Sequence, residues 1–226
     1  MENVKKHFED EAKEFDITIL KLIPLYSQMI NSMISTIPFN SSDKFKVLDL
    51  GSGTGNVSMA VKEKFKFASI DCIDIAENMI KMARIKLADY DDITYYTGNF
   101  SEFKFNEKYD VIVSSLALHH IKTDQEKQKF YSIIYDILNE DGIFINSDKV
   151  LGSNEKLNDL YSKKWKDFML KNVSEDEIDK KWIPQSKKED YPASMIDHLK
   201  WLELGGFKGI DIVWKYYGWT VYCGTR

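Results

Sequence analysis

Cysteine, proline and arginine are scarce in this 226-residue chain. Its two cysteines, Cys72 and Cys223, are too few and too far apart for a disulfide framework or a cysteine-rich zinc site. Both stand in apolar, strand-like segments, where a free thiol packs as a small hydrophobe. Arginine is the preferred fork for phosphate and guanine. Only Arg84 and Arg226 are arginine among the 31 basic residues, and the net charge is −5, so the basic footprint of a nucleic-acid-binding protein is missing. No apolar run approaches the length of a membrane span. The opening MENVKKHFEDEAKEF lacks the apolar stretch of a secretory signal, which makes a cytoplasmic protein the expectation. Apolar residues at 43% and charged residues at 30% exclude a disordered or fibrous chain, and the length suffices for a core without staples.

The periodicity predicts helix over residues 3–36, with Phe8, Ala12, Phe15, Ile19, Leu22 and Ile23 at helical spacing and Pro24 dividing the segment. A regular alternation then begins. Strands are expected at 46–50, 68–74, 93–96, 109–114 and 142–147, and helices at 56–65, 76–88 and 123–138. Strands alternating with helices imply βαβ units and a parallel sheet covered on both faces. Residues 153–190 break the pattern as a charged, lysine-rich helical insertion with Trp165, Phe168, Met169, Ile178 and Trp182 as apolar anchors. A helix over 192–204 stops at Gly205-Gly206, and strands at 210–214 and 219–223 close as an antiparallel hairpin. The fold class is therefore α/β: a Rossmann-like, doubly wound seven-stranded sheet ending in an antiparallel hairpin. N-terminal helices (1–43) and the insertion (151–190) cap a core (44–150), and 191–226 complete a single domain.

The chemistry concentrates in VLDLGSGTGNVS, residues 47–58. A strand runs into Gly51-Ser52-Gly53-Thr54-Gly55 and then into a helix. Glycines at 51 and 53 let the backbone approach a ligand, and the helix start offers free N–H groups. The spacing is G-x-G-x-G rather than the dinucleotide G-x-G-x-x-G, and no G-K-[ST] follows, which excludes a P-loop. Asp49 places a carboxylate before the turn, where a pyrophosphate would be repelled, so the ligand should carry a cation. Asp74 ends the second strand, the position from which an acidic side chain meets ribose hydroxyls.

Five segments in order, VLDLGSGTG, IDCIDIAENMIKMAR, YYTGNFSEF, YDVIVSSLALHHI and LNEDGIFI, resemble the class I S-adenosylmethionine-dependent methyltransferases. The resemblance implies S-adenosylmethionine as cofactor, and S-adenosylhomocysteine as product, with no metal. It puts Gly51, Ser52 and Gly53 against the methionine part, and Asp49 at its amino group. Asp74 falls on the ribose, Ile75 and Met79 beside the adenine, Asn99 and Phe100 at the adenine edge, and Ser115 on the sulfonium side. His119 and His120 are candidate catalytic bases, since imidazole titrates near neutral pH; the class often carries a similar LHH as a packing element.

Within the class, EFDITILKLIPLYSQMI is similar to the CmoA-like family of the tRNA uridine-5-oxyacetate pathway, which implies that Tyr26 closes over the cofactor. DEIDKK, residues 176–181, resembles that family's E-I-x-x-K-R stretch. The family's arginine would clamp the carboxylate of carboxy-S-adenosylmethionine. Here Lys181 is followed by Trp182, and neither arginine lies in the insertion, so ordinary S-adenosylmethionine is expected. Residues 114–118 read Ser-Ser-Leu-Ala-Leu, unlike the Asn-Pro-Pro-Tyr of enzymes that methylate planar amines. The leading expectation is methyl transfer to a small molecule under the cap, by a monomer or homodimer. The alternatives are a tRNA wobble-uridine enzyme and a non-catalytic cofactor-binding protein.

Overall fold

Strand β1 (Lys46–Leu50) sets the architecture. Its text, KVLDL, is buried over four of five residues, and a strand covered on both faces belongs inside a sheet flanked by helices. In the computed structural model, which describes residues 2–226, β1 pairs in parallel with β2 (Ser69–Asp74) on one side. β3 (Ile93–Thr97) extends that side. On the other side β1 pairs with β4 (Tyr109–Ser115), followed by β5 (Leu138–Lys149). β6 (Lys208–Tyr216) and β7 (Trp219–Thr225) form the antiparallel hairpin, and β7 inserts beside β5. Among the described residues the strand order is β3-β2-β1-β4-β5-β7-β6. The order reverses between β1 and β4, and an open α/β sheet has its ligand crevice at the carboxyl ends of the strands at that point.

Helices cover both faces. α1 (Glu2–Glu11), α2 (Phe15–Leu22) and α3 (Tyr26–Thr36) precede the sheet, and α4 (Asn56–Lys64), α5 (Glu77–Lys86) and α6 (Asp124–Ile137) are its crossovers. α7 (Glu155–Met169), α8 (Glu175–Glu177), a π turn (Ile178–Trp182) and α9 (Ile183–Glu189) make the insertion, and α10 (Met195–Leu204) returns to the sheet. On one face Met29, Met33, Val61 and Phe65 pack on Val47, Val111 and Ile145. On the other, Phe130, Ile134 and Leu202 pack on Leu48, Ile112 and Phe144. Each such side chain contributes about 1.5–3 kcal/mol on burial. No single helix among the described residues is long and apolar enough to cross a membrane.

Three boundaries differ from the periodicity. The N-terminal helical stretch breaks at residues 12–14 as well as at Pro24, where α2 and α3 meet at 100° and Leu25 takes φ +56°. β5 starts at Leu138, through an irregular register opposite Tyr109 and Val111. The insertion widens into a π turn just ahead of Pro184, which lacks a backbone N–H.

Polar contacts fasten the N-terminal helices over the crevice. Asp16 on α2 accepts hydrogen bonds from Thr54 Oγ1 (2.6 Å) and Asn56 Nδ2 (3.0 Å) and pairs with Lys86 (2.6 Å). The Glu9 carboxylate accepts from the backbone N–H of Glu77 (2.6 Å) and Asn78 (2.8 Å), where the dipole at the start of α5 favours an anion. His7 bridges Glu11 (2.9 Å) on its own helix and Glu189 (2.7 Å) on α9, tying α1 to the insertion. Burial alone would lower the His7 pKa, but Glu11 and Glu189 outweigh it and hold it above the ordinary value. Stability from a raised histidine pKa is full below the unfolded value of about 6.5 and is lost as pH rises through the folded value. Chemical denaturation of wild type and His7→Gln should therefore give a stability gap at about pH 6 that narrows by about pH 9; a gap independent of pH would show that His7 is not charged in the fold.

Candidate active site

The turn after β1 is built around glycine backbone. Gly51 has φ +69°, and a Cβ there would lie 2.4 Å from the Ala117 Cβ. Gly53 has φ +54° and faces open space up to Phe15, 3.9 Å from where its Cβ would be. The turn hangs on the end of β2. Gly51 N–H (2.9 Å) and Ser52 N–H (3.0 Å) both donate to Ile73 O, and Gly53 N–H donates to Asp74 Oδ2 (2.9 Å). Asp74 Oδ1 accepts from Ala76 N–H (2.8 Å). Burial raises Asp74 to about 6 even against these donors. Each carboxylate oxygen keeps a further lone pair for a ligand.

These residues line a cavity of about 680 Å³ at the carboxyl edge of the sheet. Gly51, Ser52, Gly53 and Asp74 form one wall. Ile75, Met79 and Phe100 form an apolar slot, and Tyr26 and Ser115 stand at the far side. Ser115, not Ser114, faces it: the Ser114 hydroxyl donates to Leu50 O (2.9 Å) behind the strand. Asp49 lies beneath the turn, 1% exposed, with Oδ2 accepting from Ser58 Oγ (2.6 Å). Its Oδ1 and the Ser52 hydroxyl have no hydrogen-bond partner among the described residues. Burial pushes Asp49 up to about 7. Asn99 is a correction. Its amide is spent on its own turn, donating to Glu102 Oε1 (2.9 Å) and accepting from Ser101 N–H (3.1 Å), and it does not line this cavity.

A second cavity, about 770 Å³, adjoins the first beneath α1, α2, α7 and α9. Phe8, Phe15, Leu116 and His120 belong to both. Leu116 holds φ +55° just past β4, a conformation that costs a branched side chain about 1–2 kcal/mol and recurs at functional sites. Trp165, Trp182 and Trp219 are walls of the second cavity. Trp165 serves as anchor too, donating its indole N–H to Leu22 O (2.8 Å). Tyr217 packs against Tyr161 and Lys164, Tyr216 packs on Tyr217 and the core, and neither lines either cavity.

The histidines have distinct places. His119 lines the second cavity alone, and its Nδ1–H donates to the buried Asp148, which fixes the tautomer. Its Nε2 lies 3.5 Å from Asp190 Oδ1. Burial would lower His119, but Asp148 and Asp190 outweigh it and raise it to about 9. These two carboxylates favour the protonated ring over the neutral one that a base requires. His120 donates Nδ1–H to Glu189 O (3.1 Å), and burial followed by the charge of His119 lowers it to about 3. Asp190 reaches this floor because Tyr191 N–H donates to His119 O (2.7 Å) and Leu151 N–H to Ala193 O (2.9 Å), pinning the end of the insertion to the core.

Comparison with known proteins agrees with this geometry. A methyltransferase-domain family model matches residues 47–142. A carboxy-S-adenosyl-L-methionine synthase from Nautilia profundicola is 29% identical over 99% of this chain and 96% of its own length. The enzyme of that name from Staphylococcus epidermidis is 30% identical over 96% of this chain and 92% of its own. The chain belongs to the class I S-adenosylmethionine-dependent methyltransferases, in their CmoA-like branch. The cofactor that goes with the family is S-adenosylmethionine. Human N-acetylserotonin methyltransferase, solved with that cofactor, shares the fold at a TM-score of 0.65 and 17% identity, covering 96% of this chain and 56% of that one.

The family pattern accounts for the first cavity and misses most of the second. Phe8 and Phe15 read only as core positions of a helix, and Asp190 as part of a solvated insertion. Asp148 and Lys149 are the sequence signal for the second cavity, two adjacent charges directly after the GIFINS strand segment. In this chain Gly51→Ala meets both a positive φ and a blocked Cβ, and should cost about 2–4 kcal/mol. Gly53→Ala meets the φ alone and should cost about 1–2 kcal/mol. Urea unfolding with unchanged slope would read the two losses; equal losses would contradict the packing of Gly51 on Ala117.

Proposed function

We propose that this chain transfers a methyl group from S-adenosylmethionine to a small molecule held in the second cavity. One observation carries the reading: the cofactor-type cavity and an adjoining, aromatic-lined cavity share Phe8, Phe15, Leu116 and His120. The first cavity fits the cofactor. Asp49 Oδ1 and the Ser52 hydroxyl are buried without partners, one suited to an ammonium and the other to a carboxylate, and the space at Gly53 would be filled by any Cβ. Asp74 would take the ribose hydroxyls, Ile75, Met79 and Phe100 the adenine, and Tyr26 and Ser115 the methionine end. When bound, S-adenosylmethionine supplies an electrophilic methyl on a cationic leaving group. The protein's part is to align the acceptor and exclude water, and positioning alone is worth up to about 7–11 kcal/mol. The aromatic side chains lining the second cavity keep water from the acceptor.

The relatives' name points to a second reading, synthesis of a carboxylated cofactor, favoured by similarity over nearly the full length. It calls for a clamp on a carboxylate. Arg84 is occupied over the Tyr95 ring (4.4 Å) and Arg226 over Tyr135 (5.0 Å), and neither lines a cavity. The position that carries arginine in the resembled E-I-x-x-K-R stretch holds Trp182, a wall of the chamber. Methyl transfer is therefore preferred. Mass spectrometry of the ligand released on denaturation, and of products formed with an acceptor panel, tests it. S-adenosylhomocysteine beside a methylated acceptor supports the reading; a carboxylated cofactor overturns it.

Calorimetry should find Asp74→Ala at least about tenfold weaker for S-adenosylmethionine, about 1.4 kcal/mol. Asp49 is largely protonated below about pH 7, whereas a bound ammonium favours its ionised form. Binding should thus expel a proton, and affinity should rise between about pH 5.5 and 7.5 and then level. Asp49→Asn should reduce this dependence to the part that Asp74, at about 6, contributes; an undiminished slope would remove Asp49 from the amino-group role.

A further inference from the structure

We propose that His119, His120 and Asp190 form a binding site for a divalent first-row transition-metal ion at the floor of the second cavity. One donor atom from each of the three lies within 4.8 Å of the others. Asp190 Oδ1 is 3.5 Å from His119 Nε2 and 3.8 Å from His120 Nδ1. Ligands about 2.0–2.2 Å from a shared ion stand roughly 3–3.6 Å apart, so both Asp190–histidine pairs are already near ligand spacing, and the two histidine donors close on the ion from within 4.8 Å of each other. The set is two imidazoles and a carboxylate without thiolate, which suits iron, manganese, cobalt or zinc and leaves coordination positions open.

The surroundings have the form of a built site. Ligating histidines usually donate their second ring N–H to a carboxylate, and His119 does so to Asp148. Asp148 is itself fully buried and held by the backbone N–H of His119 (3.1 Å) and Lys149 (2.8 Å) and by Asn146 Nδ2 (3.3 Å). Asp190 is oriented through its other oxygen, which accepts from Lys149 Nζ (2.9 Å) and Ser186 Oγ (2.8 Å), leaving Oδ1 toward the histidines. His120 exchanges its hydrogen bond to Glu189 O for the ion. The open positions face the chamber that the proposed function assigns to the acceptor. On that reading the ion would take an oxygen of the acceptor, a hydroxyl, enolate or carboxylate, and polarise it.

The test uses full-length, chelator-treated protein and the metal alone. Titration with Co²⁺, followed by its visible absorption, and with Mn²⁺ by calorimetry, should reach one ion per chain. Asp190→Asn and His119→Gln should each weaken binding at least about tenfold, and Asp148→Asn by about 10–100-fold. His7→Gln, in the same chamber but bonded to Glu11 and Glu189, should bind as wild type. Thermal unfolding checks each variant; if His119→Gln does not fold, Asp190→Asn, at a less buried side chain, decides. No saturable binding, or binding undiminished in the ligand variants, overturns the site and leaves a hydrogen-bonded network only. S-adenosylmethionine affinity is measured on the same samples. Cofactor binding without metal uptake removes this site and leaves the proposed function standing; metal uptake without cofactor binding does the reverse.

Discussion

The carboxylate of Asp74 ties together parts of the molecule that otherwise share no contact by sequence. One oxygen holds the Gly53 N–H after β1, and the other holds the Ala76 N–H ahead of α5. Ile73 O just before it takes two more N–H groups of the glycine turn. A buried carboxylate is costly unless donors surround it, so the turn and the helix start are constrained to close on that point. The same turn then carries Thr54 and Asn56, which bind Asp16 of α2. The N-terminal helices are thus hung on the turn, the turn on β2, and the second cavity exists only because those helices are held over it.

This order of dependence explains what was legible in the sequence. Parallel strands must be apolar on both faces, so KVLDL and YDVIVS announced themselves, and with them the crevice beyond their ends. The glycine turn was legible because Gly51 has no tolerable substitute at its φ and spacing. The break at residues 12–14 was not, since no proline or glycine marks it; the chain bends there while Glu9 reaches α5 and Asp16 reaches the turn. Asn99 failed for a related reason. An amide can serve an adenine edge or its own Asx turn, and a local hydrogen bond needs no partner from elsewhere in the chain.

The second cavity is assembled from side chains far apart in sequence. His119 follows β4, Asp148 and Lys149 end β5, and Asp190 arrives from the insertion. Each has an ordinary local explanation, and the backbone bonds from Tyr191 to His119 and from Leu151 to Ala193 bring the fourth to the other three. The expectation that His119 acts as a base rested on the unperturbed imidazole. The buried carboxylate of Asp148 and the partly buried one of Asp190 favour the protonated ring instead.

Trp182 is where this chain parts from the pattern it resembles. A guanidinium in that place could hold a carboxylate by two parallel hydrogen bonds. An indole offers one N–H, and here it is donated to Glu177 (2.9 Å), so only the ring is presented to the chamber. The nearest cations do not restore the clamp. Lys181 lies over the Trp182 ring (3.9 Å) and pairs with Glu11 (2.8 Å), while Lys149 is bound to Asp190 (2.9 Å). Retention of the fold and cofactor turn with an altered chamber is the outcome expected when specificity resides in the cap rather than in the sheet.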